Sequence, residues 1–145
     1  MRTSFVFSAT AIALLACRDP VEPDPRPGWR LLPGILLHNG IPAVMQVPDS
    51  VVPGQHFSVA FVTFGTGCDE EGETTSTVLG SAIEIMPVDW RQIDPPPSCP
   101  DSIVSVFPRA VDVRVDVAGP ARVRVHGRRE PGGTSVVFAA TVQVR

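Results

Sequence analysis

Lysine and tyrosine are absent from this chain, so all 12 of its Lys-plus-Arg residues are arginine. The skew reads as the signature of a GC-rich genome rather than of a function. Charge is sparse: 19% of residues are charged and the net charge is −3 at pH 7, which gives no basic footprint for nucleic acid or for an anionic bilayer. Long apolar runs are missing too. The charge-free stretch over residues 5–16 falls short of the ~20 residues a membrane-spanning helix needs. No segment carries the period of a long helix. His38, His56 and His126 stand in no metal-ligand spacing, and there is no C-x-x-C, H-x-x-x-H or H-E-x-x-H. No G-x-S-x-G and no phosphate-cradling glycine loop occurs. Residues 127–134 lack the Cys, His and Met that copper-binding sandwiches place in their last loop. Only a site assembled in space from distant residues is left for catalysis. The expectation is therefore a non-enzyme without cofactor or metal.

What is present begins with a leader. Arg2 is the one charge ahead of the apolar residues 5–16, a run within the ~7–15 residues of a signal-peptide core. It closes on Leu14-Leu15-Ala16-Cys17. These four residues resemble the lipobox of bacterial lipoproteins. The resemblance implies a diacylglyceryl thioether on the Cys17 sulfur, cleavage between Ala16 and Cys17, and acylation of the new N-terminus. Several acyl chains together give stable anchoring where one is marginal. Ordinary secretory cleavage is the alternative, but Leu14 stands where that reaction wants a small residue. Arg18, not Asp, follows Cys17, which favours an outer-membrane or surface position. The partner expected first is thus a bacterial membrane, reached through lipid at Cys17. Residues 17–28 carry this cysteine and Pro20, Pro23, Pro25 and Pro27. Such a run favours extended backbone and reads as a tether of roughly 30 Å at ~3.1 Å per residue.

Residues 29–145 supply enough chain for one domain, with 43% hydrophobic residues for its core. The 16 prolines and 12 glycines favour many turns over long helices. Residues 29–37 read as an irregular lead-in or first edge strand. Residues 41–47 read as an edge strand with Ile41, Ala43, Met45 and Val47 on one face. Residues 57–64 are apolar on both faces, the mark of a central strand. The order Pro48, Gly54, then Phe57, Val59 and Phe61 resembles the opening of bacterial immunoglobulin-like domains. That resemblance implies a β-sandwich used for adhesion, display or spacing, with no catalytic residues. Residues 69–73 read as a solvated acidic loop without the alternate oxygen spacing of a calcium loop. One or two strands are expected over 74–88, with residues 89–92 covering an open end. A short strand is expected over 103–107. Val111, Val113, Val115 and Val117 alternate with charged residues, and Val123 and Val125 do so with Arg122, Arg124 and His126. If these two segments formed a hairpin, Asp116 would face Arg122; in a sandwich the connection passes between sheets. Val136 to Val144 alternates as a last strand. The predicted fold is an all-β, immunoglobulin-like sandwich of about seven to nine antiparallel strands.

Three cysteines fit one scheme. With Cys17 lipidated, Cys68 and Cys99 remain as a pair that bonds outside the cytosol, and a metal or redox site is the rival reading. Arg122, Arg124, His126, Arg128 and Arg129 form a basic cluster around one strand and its turn. Arginine forks suit carboxylate and phosphate, so this is the candidate binding face for an envelope protein or an acidic glycan. The expected function is a non-catalytic interaction or structural module of the cell envelope, or else a small-ligand or metal-binding surface lipoprotein.

Overall fold

The computed structural model describes residues 26–145, which form eleven β-strands and no helix. Short strands come first: β1 Trp29–Pro33, β2 Ile35–His38, β3 Ile41–Pro42, β4 Met45–Gln46 and β5 Ser50–Val51. Long strands follow: β6 His56–Thr66, β7 Glu70–Leu79, β8 Ala82–Gln92, β9 Val104–Arg114, β10 Gly119–Glu130 and β11 Ser135–Val144.

All eleven belong to one curled sheet, whose hydrogen-bonded path runs β1-β8-β10-β2-β6-β4. β7 extends it from β8, β9 from β6, and β11 from β10. The sheet is mixed, because β10 pairs β8 and β2 in parallel, as β11 does β5. This differs from the wholly antiparallel arrangement and the seven to nine strands expected. The extra strands are two-residue segments that turns break apart.

Alternation decides the core. Phe57, Val59 and Phe61 of β6 point inward with Val113 of β9. They meet Ile83 and Ile85 of β8, Val123 and Val125 of β10, and Val142 and Val144 of β11. Each buried branched side chain of this kind stabilises by roughly 1.5–3 kcal/mol relative to exposure. β10 passes from β8, at Arg122–Val125, to β2, at Arg128–Glu130. The transfer is possible because the corner between β1 and β2 packs directly on its backbone. A Cβ on Gly127 would lie 2.5 Å from the Gly34 carbonyl oxygen, and one on Gly34 would lie 2.7 Å from Thr63 Cγ2. Only hydrogen fits at either position.

Several local expectations change. Residues 41–47 give two short strands, β3 and β4, because Pro42 interrupts the ladder; Ile41 is exposed while Ala43, Met45 and Val47 pack on the core. The segments read separately at 103–107 and 111–117 are one strand, β9, running through Pro108. β9 pairs β6 alone, so its other edge tolerates a residue without an N–H. It ends at Arg114, leaving Val117 exposed. The acidic residues 70–73 begin β7, and residues 89–92 complete β8. β9 and β10 do not pair; Asp116 bonds Arg114 Nε at 2.8 Å.

Candidate functional site

The expected lipidation at Cys17 lies outside the described residues, as do the leader and most of the tether. Cys68 and Cys99 are disulfide-bonded, with their Cα atoms 5.2 Å apart. The bond joins the start of the β6–β7 connection to the proline-rich segment before β9.

The five basic residues on β10 separate into two groups. Arg122, Arg124 and His126 point outward, since Ala121, Val123 and Val125 take the core side. Glu84 of neighbouring β8 collects two of them. Arg124 Nε donates to Glu84 Oε1 at 2.8 Å, and His126 Nε2 lies 2.5 Å from Glu84 Oε2. The hydrogen bond to His126 is the main reason that the Glu84 carboxyl is held below its ordinary value, with Arg124 adding to it. Arg122 stays exposed beside Thr141 of β11. Arg128 turns into the protein instead. It is 6% exposed, donates from Nε to the Pro33 carbonyl at 2.8 Å, and pairs with Glu130. Burial pulls its guanidinium below the ordinary range, with nearby Arg91 acting the same way. Arg129 follows a register shift in the β10–β2 pairing and is exposed. The outward face that remains is Arg122, Arg124 and His126 with Glu84 at its centre.

Two further networks had no signal in the sequence. Arg91 of β8 donates from Nε to Asp69 Oδ1 at 3.0 Å and from Nη2 to Asp69 Oδ2 at 2.8 Å; Nη2 also meets Thr66 Oγ1 at 2.5 Å. Asp69 holds Arg91 above its ordinary value. These residues line a cleft beside the disulfide, together with Arg30 and Asp101. The expectation of a solvated loop does not hold for Asp69, because an arginine some twenty residues on binds both its oxygens.

The second network closes the curl. β7 and β9 approach each other without forming a ladder, and Arg109 of β9 bridges the gap. Its Nε donates to Thr63 Oγ1 at 3.0 Å, and its Nη1 to the Gly72 carbonyl and to Thr74 Oγ1, each at 2.9 Å. Nη2 reaches the Val88 carbonyl at 3.3 Å and the Asp89 carboxylate. Gly72 sits in the register shift between Glu71 and Thr74, which frees its carbonyl for this contact. Arg109 is 6% exposed and Asp89 is 2% exposed. Burial pushes the Asp89 carboxyl up to about 6 against the pull of Arg109. Asp89 Oδ2 has no hydrogen-bond partner among the protein atoms.

Among the described residues no group of three or more His, Cys, Asp or Glu side chains is placed to hold a metal ion. Comparison with protein-family models, with curated proteins and with solved structures finds no match.

Proposed function

We propose that this chain is a lipid-anchored, extracytoplasmic bacterial lipoprotein whose immunoglobulin-like domain serves as a non-catalytic interaction or structural module of the cell envelope. The observation that carries the reading is the division of the cysteines. The Cys68–Cys99 bond accounts for two of the three and leaves Cys17, at the end of the lipobox-like Leu14-Leu15-Ala16-Cys17, as the thiol open to acylation. A disulfide belongs to an oxidising compartment, which is where a lipobox sends a chain. The immunoglobulin-like reading draws support from β9 and β10, which form no hairpin and pair different strands.

The contact surface of this reading is the outward face of β10 with its neighbours. Arg122 offers a guanidinium fork, Arg124 and His126 are held in place by Glu84, and threonines flank them on β7 and β11. Such a face suits a carboxylate-bearing protein or acidic glycan of the envelope. The test is crosslinking capture from intact cells with the native chain, its Cys17→Ser form and its Arg122→Glu form. One envelope component enriched by the native chain and lost with both variants is the expected result. Equal capture by all three would overturn the assignment of this face.

A further inference from the structure

The only two tryptophans of the chain come together on one outer face. β1 and β8 pair with Leu31 opposite Trp90 and Pro33 opposite Val88. Asp89, Pro87 and Ile85 take the core side of β8, so Trp90, Val88 and Met86 point outward. The same alternation turns Trp29, Leu31 and Pro33 outward on β1. The result is a plate of six apolar residues on two adjacent strands, with Glu70 of β7 opposite Trp90 and Arg26 over Trp29 at its rim. Leu31 is 48% exposed and Met86 is 54% exposed. Arg26 holds the two indoles in place: its guanidinium lies 3.9 Å from the Trp29 ring centre and 5.7 Å from that of Trp90. Glu70 pairs with Arg26 at 2.7 Å at this rim.

We infer that this plate is the surface on which the domain rests against the lipid bilayer. The inference builds on the lipid-anchor reading, and the position of the chain end supplies the reason. Arg26 stands at the plate and follows Cys17 by nine positions in the sequence. However that stretch is arranged, it spans at most about 32 Å at ~3.6 Å per residue. A domain of this size is itself roughly 35 Å across. An acylated Cys17 therefore keeps the domain within one diameter of the membrane, with the plate at the side where the chain enters. Tryptophan favours the level of the lipid headgroups, because its ring is apolar and its N–H needs a polar partner. An ion pair at the rim, rather than a basic cluster, suits a zwitterionic surface.

Tryptophan emission reads this plate alone, since both indoles sit in it. The lipidated full chain is placed in vesicles of phosphatidylcholine and phosphatidylethanolamine, with and without bromine on the acyl chains near the headgroup. Flotation measures anchoring and emission measures contact. The expected result is a floating protein whose emission falls by about half with brominated lipid, as for indoles at headgroup depth. Leu31→Glu and Met86→Glu, at exposed positions, should still float and lose the quenching. A floating protein with unquenched emission would overturn the inference and leave the anchor standing. So would quenching that survives both substitutions. A protein that does not float would overturn the anchor reading, and the inference with it.

Discussion

Arg109 offers the sharpest test of how the curled sheet is closed. Arg109→Met keeps the length and the apolar stem but removes all the donors to Thr63, Gly72, Thr74, Val88 and Asp89. Breaking one side of a buried ion pair destabilises by about 3–5 kcal/mol, because the partner is left charged and unpaired. Domains of this size have about 5–15 kcal/mol in total, so the loss is a large share. With a urea slope near ~2 kcal/mol per molar, the unfolding midpoint should fall by about 2 M. The loss should be smaller at pH 5 than at pH 7. Burial already holds Asp89 up to about 6, and without Arg109 it takes up a proton more readily. The double variant with Asp89→Asn should depart from the sum of the two single effects, losing less by at least ~2 kcal/mol. A loss below ~1 kcal/mol for Arg109→Met, or simple additivity in the double variant, would refute the claim that this pair staples β7 and β8 to β9.

Asp89 also sets a pH dependence of unusual sign. Its carboxyl goes from an ordinary value of 3.8 up to about 6 on folding, so between these values the folded state binds more protons than the unfolded state. Its contribution to stability should therefore decline by up to about 3 kcal/mol as pH rises from roughly 4 to 6. Thermal melts across that range should show the native chain losing stability relative to Asp89→Asn; parallel curves would contradict it. Reducing the Cys68–Cys99 bond opens a loop with a sequence separation of 31. This should cost about 3–4 kcal/mol on the chain-entropy account and lower the melting temperature, and an unchanged melt would show the bond to be energetically idle. Gly127→Ala should destabilise by about 1–3 kcal/mol in urea titration, because the new methyl meets a backbone oxygen that has nowhere to go. A neutral result there would mean that the corner between β1 and β2 does not press on β10.

The parts of the fold legible in the sequence are those written in one strand's own alternation. Val123 and Val125 are buried between outward Arg122, Arg124 and His126, and Val113 and Val115 are buried as their period implies. β7 was not legible. Glu70 and Glu71 look like part of a solvated loop, and only their pairing with β8 makes them strand. The same holds for side-chain partners. Glu84 gave no hint that it lies between Arg124 and His126, because that contact depends on a parallel register between β8 and β10. Arg109 follows a proline and carries no signal in the sequence, yet it is the buried bridge across the open edge of the sheet. Trp29 and Trp90 belong to segments read separately, and the β1–β8 pairing brings them to one face. Local period tells which side of a strand is wet; the register between distant strands tells which charges meet, and a single sequence does not carry it.

The most direct test of the central claim is the mass of the mature N-terminal peptide from protein isolated out of bacterial membranes. The expected result is a peptide that begins at Cys17 and carries a diacylglyceryl group on its sulfur, with or without an acyl group on its amine. An unmodified N-terminus at Met1, or a mature chain beginning elsewhere with Cys17 free of lipid, would contradict the lipid-anchored reading.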